Sequence, residues 1–173
     1  MSVLVCAIFL VFAGIVGIVD YRTRRIPNWL TVSGAGAGLL LVLPTGANHA
    51  TQALLGLVVA SGVGFLLFAL KTLGAGDAKF IGAVGLWAGL ERLPMAVLAM
   101  LAGGALFAVA WSVRERVFRG TIMSTSAMIG GFVNGTGRLA PLIGGTAAGR
   151  FPYGVGLGLG AAAWWLWAGC ALP

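Results

Sequence analysis

Apolar residues in this chain fall in long unbroken runs, not in the alternating or three-to-four spacing of a soluble fold. The runs cover residues 3–19, 26–43, 51–70, 78–90, 93–113 and 153–171. A helix needs about 20 apolar residues to cross the hydrocarbon of a bilayer, with a range of ~17–25. Five of the runs meet or approach that length and contain no Asp, Glu, Lys or Arg. The fourth, 78–90, is short and carries Lys79 in its first turn, so it predicts a span shielded by neighbouring helices. The pattern predicts an all-α, polytopic membrane protein of about six transmembrane helices. A Gly-, Thr- and Ser-rich segment, residues 114–150, separates the fifth helix from the sixth. No internal repeat and no soluble domain is evident, and residues 1–173 are expected to form a single membrane-embedded domain.

Composition removes the alternatives. Apolar residues make up 60% of the chain and charged residues 9%, against roughly 45–50% and about 25% in soluble proteins. A chain of 17.6 kDa with a mean hydropathy of +1.02 has too little interior to hide that much apolar surface. Disorder is excluded by the same figures, because it requires low hydrophobicity. Cys6 and Cys170 each lie inside an apolar run, where they are expected to act as small hydrophobes. There is no CxxC pair, and no metal site is expected.

The formal net charge of +7 raises nucleic acid as a partner in a soluble protein, but the positions of the charges argue for a membrane. Arg22, Arg24 and Arg25 lie between the first two runs, Lys71 and Lys79 between the third and fourth, and Arg114, Arg116, Arg119, Arg138 and Arg150 between the last two. Only Arg92 falls in an intervening loop on the other side. Positive loops stay cytoplasmic, so both termini are expected on the non-cytoplasmic side. The first run has its basic residues after it, the reverse of a cleaved signal peptide, and is expected to be a retained span. Arg114 to Arg119 reads as a positive-inside anchor or as a basic turn against anionic headgroups. Gly104, Gly130, Gly131 and the Gly-Leu-Gly-Leu-Gly run after Tyr153 suit close helix–helix approach.

Candidate chemistry rests on the chain's two aspartates, Asp20 and Asp77. Asp20 closes the first run and Asp77 opens the fourth, so both are expected at the cytoplasmic surface. Ionisable groups at membrane depth are costly and point to function; the plain alternative is a helix-end anchor paired with Arg22 or Lys79. Glu91 and Glu115 have adjacent arginines and read as solvated charges. Asp77 sits in Gly74-Ala-Gly76-Asp77-Ala-Lys79 immediately before a helix, where glycines let the backbone approach another chain closely. The helix dipole favours charge on Asp77 and disfavours it on Asp20; Arg22, Arg24 and Lys79 favour charge on both. If the two helix ends meet, the carboxylates form the acid–base pair that activates water for peptide hydrolysis.

Asp20-Tyr-Arg-Thr-Arg-Arg-Ile-Pro27-Asn28-Trp-Leu-Thr31, followed by Gly74-Ala-Gly76-Asp77-Ala-Lys79, resembles the two motifs of the type IV prepilin peptidases, the GxGD membrane aspartic peptidases. Phe151-Pro-Tyr-Gly154 resembles the Pro-Tyr/Phe-Gly turn before that family's last span. The resemblance implies a membrane aspartic endopeptidase that removes the short basic leader of prepilin-like subunits at the cytoplasmic face of the bacterial inner membrane, for pilus assembly. It implies Asp20 and Asp77 as the catalytic pair, with Gly74, Gly76, Lys79, Pro27 and Asn28 in support. It implies no cofactor, and as partners a prepilin-like substrate and the lipid bilayer rather than nucleic acid. The cysteine-rich insert of larger, methylating members is missing, so the chain resembles the short Flp/tight-adherence form, which puts methyl transfer in doubt.

The alternative from another class is a small proton-coupled transporter using the Asp20/Asp77 pair as a relay. Transporters usually show repeats and a polar residue near the midplane of a broken helix, whereas both aspartates here lie at one surface. His49, the only histidine, falls in an outer loop and supports no nucleophile triad. Ser61 lies in an apolar run without a basic partner. The Trp164-Trp165-x-Trp167 cluster reads as an interfacial belt or a packing feature.

Overall fold

The structure is a computed structural model that describes residues 2–70, 73–114 and 153–173. The described residues form helices joined by short turns, with no strand among them: α1 (Ser2–Thr23), α2 (Asn28–Val42), a 3-10 turn (Leu43–Thr45), α3 (Ala47–Ala69), α4 (Ala75–Arg114) and α5 (Tyr153–Trp167). In hydrocarbon every backbone N–H and C=O must be satisfied within its own segment, which leaves helices for apolar runs of this length.

Four helices among the described residues are long and apolar enough to cross a bilayer, against the six runs read from sequence. The fourth and fifth runs are the two parts of α4 on either side of a break at Gly89, and the last run forms a helix of only 15 residues. At about 1.5 Å per residue α5 is roughly 22 Å long, less than the ~30 Å hydrocarbon core.

α4 is not one straight rod. Gly89 has φ 67° and ψ 168°, a conformation that side-chain-bearing residues rarely adopt. Before that break Ala78 packs on Gly64 and Gly85 on Gly56, antiparallel to α3. After it the chain returns along α5, from Arg92, which donates a 2.7 Å hydrogen bond to the Ala171 carbonyl, to Gly103 beside Gly156 and Gly160. Pro94 lies five residues beyond the break, near the start of the second part of α4.

α1 also runs antiparallel to α5: Gly17 meets Val155, and a Cβ on Gly158 would lie 3.0 Å from the Ala13 carbonyl. The small residues let backbones touch, which is how helices gain van der Waals contact when lipid is as apolar as a side chain. The GLGLG run thus packs as expected, and so does Gly104: a Cβ on Gly156 would lie 2.7 Å from Gly104 Cα and 2.9 Å from the Gly103 carbonyl. Gly130 and Gly131, with the rest of residues 115–152, lie outside the described residues.

An aromatic cluster fills the end of the bundle away from the aspartates. Trp87 and Trp165 are fully buried. Phe9 stacks on Trp165 with centroids 4.5 Å apart and meets Trp87 edge-on at 5.2 Å. Trp87 Nε1–H donates to the Gly34 carbonyl at 3.0 Å, tying α4 to α2. Trp164 and Trp165 are therefore core residues, while Trp167 is exposed. At this end Cys6 and Cys170 form a disulfide, Cα atoms 4.9 Å apart, instead of acting as separate small hydrophobes. His49 lies in the first turn of α3, not in a loop, and its Nδ1 bonds the Pro173 carbonyl.

Candidate active site

The opposite end of the bundle collects both aspartates. α1 continues helical past the apolar run, so that Asp20 falls in its last turn. Arg24 takes a left-handed conformation, φ 53°, and its amide closes that turn on the Asp20 carbonyl at 2.7 Å. Thr23 Oγ1 donates to the Val19 carbonyl and lies 2.9 Å from the Arg25 carbonyl. Pro27 then begins α2 in an extended conformation (φ −71°, ψ 145°), as the residue before a helix should. The tight exit from α1 places Ile26 against α4.

Gly76 accepts that contact. A Cβ there would lie 3.1 Å from Ile26 Cβ and 3.3 Å from the Ile26 amide nitrogen and carbonyl oxygen. Gly74 precedes α4, its carbonyl accepting the first helical bond from Ala78 at 3.1 Å and its amide donating to Asp77 Oδ2 at 3.3 Å. Asp77 thus reaches back over the start of its own helix, as the acidic member of a capping box does. Lys79 Nζ donates to Asn28 Oδ1 at 2.7 Å, joining the two motifs at the surface. The five supporting positions, Gly74, Gly76, Lys79, Pro27 and Asn28, all lie at this end.

Asp20 is 5% exposed and Asp77 8% exposed, and each carboxylate lies within electrostatic reach of the other. Neither uses the arginine or lysine beside it in sequence as its hydrogen-bond partner. Lys79 goes to Asn28, while Asp20 Oδ2 accepts the Gly154 amide at 2.8 Å, with the Val155 amide next to it at the start of the same helix. Burial without water is costly for a carboxylate unless donors replace the water; backbone amides do so here. Gly154 and Val155 are the residues that sequence reasoning missed as site members. Their signal was the Pro-Tyr-Gly stretch before the last apolar run, but no local pattern says which carboxylate a helix start will meet.

Two buried carboxylates, each accepting a backbone amide hydrogen bond, thus lie at one end of the bundle within electrostatic reach of each other. The type IV leader peptidase family model matches residues 7–109, a stretch that contains both aspartates, and the chain belongs to that family. It is similar to the prepilin leader peptidase/N-methyltransferase of Escherichia coli (strain K12), 32% identical over 119 residues, which are 64% of this chain and 53% of the relative. The chain spans about half the length of the curated relative it matches. No solved structure matches it.

Proposed function

We propose that the chain is an aspartic endopeptidase of the membrane that removes the basic leader of prepilin-like subunits, and that Asp20 and Asp77 are its catalytic pair. The observation that carries the reading is that the chain's two aspartates are both buried at one end of the bundle, within electrostatic reach of each other. One carboxylate, ionised, takes a proton from a water that attacks the scissile carbonyl carbon. The other, protonated, hydrogen-bonds the carbonyl oxygen and stabilises the developing oxyanion. Collapse of the tetrahedral intermediate breaks the C–N bond as a proton passes to the leaving amine. A pair holding one proton supplies both groups.

The surroundings support the reading. A groove of about 740 Å³ between α1, α4 and α5 reaches Tyr21, Arg22 and Val155 at the aspartate end of the bundle, though neither aspartate lines it, and gives a substrate segment lateral room to approach that end. Arg22, Arg24, Arg25 and Arg114 flank the aspartate end, which by the positive-inside rule is cytoplasmic; the enzyme would then sit in the bacterial inner membrane with both termini outside. We read residues 1–173, which hold no cysteine-rich insert, as a peptidase domain of the short Flp-pilus form that does not itself transfer methyl.

The test is incubation of purified protein in lipid with a prepilin-like peptide carrying a basic leader. Mass spectrometry should find one cut between leader and apolar segment, with a free α-amine on the new terminus even when S-adenosylmethionine is added. An intact peptide would refute the peptidase reading, and a methylated amine the peptidase-only form.

A further inference from the structure

The supporting residues identified so far all hold Asp77 or the α1–α2 turn; what holds Asp20 is a different helix. The first amides of a helix have no partner within it and accept an anion readily. In α5 the amide of Gly154 donates to the Asp20 carboxylate at 2.8 Å, 134 residues away in sequence, and the amide of Val155 stands beside it in the same first turn. The fit depends on the absence of a side chain: a Cβ at Gly154 would stand 2.9 Å from both Asp20 Cγ and Oδ2, and 3.0 Å from Asp20 Cβ. Contacts that short require the carboxylate to move. Gly154 is buried, and its φ lies outside the left-handed region, so backbone strain does not account for the glycine.

We propose that the amino end of α5 is the positioning element for Asp20, with the amides of Gly154 and Val155 fixing the carboxylate and the missing Cβ of Gly154 making room for it. Each aspartate then rests on amides at the start of a separate helix, Asp77 on that of Gly74 and Asp20 on those of α5. α5 lies outside the 7–109 stretch that the family model matches, so the positioning extends to the last helix of the chain. The inference rests on the peptidase reading only in using Asp20 as a catalytic group.

Three variants in the full-length protein in lipid test it. Gly154→Ala pushes on the carboxylate. Val155→Pro deletes the second donor within the first helical turn, where proline is accommodated. Gly158→Ala crowds the same α1–α5 interface at the Ala13 carbonyl, one turn further from the carboxylate. A displacement near 1 Å at a catalytic group costs on the order of 10²-fold. Gly154→Ala and Val155→Pro should each lower kcat by about that factor with KM changed less than about threefold, and should move the pH limb of kcat by about one unit. Gly158→Ala should keep its pH limb and lose less than about tenfold in kcat. If Gly154→Ala does not fold, Val155→Pro decides. Wild-type kcat and pH profile in a folded Val155→Pro protein, or an equal loss in Gly158→Ala, would overturn the positioning role. Retained cleavage by Asp20→Asn would instead overturn the catalytic assignment, so the two failures are separable.

Discussion

Lys79 Nζ and Asn28 Oδ1 lie 2.7 Å apart, joined by a hydrogen bond across 51 residues of sequence. The bond links the first residue of α2 to the second turn of α4, and so ties the turn that follows Asp20 to the helix that carries Asp77. It is exposed, where one hydrogen bond contributes little net stability, on the order of 1 kcal/mol or less. Its value lies in alignment.

Asn28→Ala should therefore leave the thermal midpoint of the detergent-solubilised protein nearly unchanged while lowering kcat/KM by about tenfold. Asn28→Asp keeps an acceptor for the lysine and adds a charge-assisted bond, so it should retain most activity. Equal activity of the alanine variant and wild type would show that the two motifs align without this bond.

The aromatic end of the bundle should behave in the opposite way. Trp87→Phe removes the donor to the buried Gly34 carbonyl and should cost about 1–3 kcal/mol. Trp87→Ala also opens a cavity against Phe9 and Trp165 and should cost about 3–5 kcal/mol. Thermal unfolding in detergent measures both. Activity per folded molecule should change less than about twofold, because Trp87 lies away from the aspartate end; a specific loss of kcat without loss of stability would contradict that separation.

Hydropathy made the helices legible because a bilayer imposes length and apolarity on each span directly. The first three runs lie within a few residues of α1, α2 and α3. The aspartate motifs were legible for a related reason: a carboxylate at the edge of an apolar run is costly enough to stand out. What could not be read were relations between distant segments. Nothing local to Cys6 or Cys170 marks them as partners 164 residues apart. The glycine pairs of α3 and α4, Gly56 with Gly85 and Gly64 with Ala78, were hidden among 29 glycines. The hold of α5 on Asp20 depends on which helix start packs beside α1, and hydropathy carries no information on that choice.

The proposed orientation rests on the basic residues and has its own measurement. Single cysteines introduced beside Arg24 and Arg119 should react with an impermeant maleimide only from the cytoplasmic side, and one at Asn48 only from outside. Asn48 lies in the first turn of α3, at the end opposite the aspartates. Labelling beside Arg24 from outside would invert the assigned face and move the acid pair to the wrong side for a cytoplasmic leader.

Cleavage by aspartate variants tests the central claim most directly. If Asp20 and Asp77 act on one water, Asp20→Asn and Asp77→Asn each remove a proton-transfer group that contributes on the order of 10²–10⁴-fold. The double variant should then be scarcely slower than either single one, because groups acting as a unit are strongly non-additive. Neither change should unfold the protein, since a neutral amide at the edge of a membrane is less costly than a charge, and Asn in place of Asp77 still accepts a backbone amide. Glu115→Gln, in the arginine-rich stretch that follows α4, should cleave at close to the wild-type rate. The account predicts loss of prepilin cleavage by at least about 10²-fold in both single variants and no further substantial loss in the double one. Near-wild-type cleavage by a correctly inserted Asp77→Asn protein would contradict it.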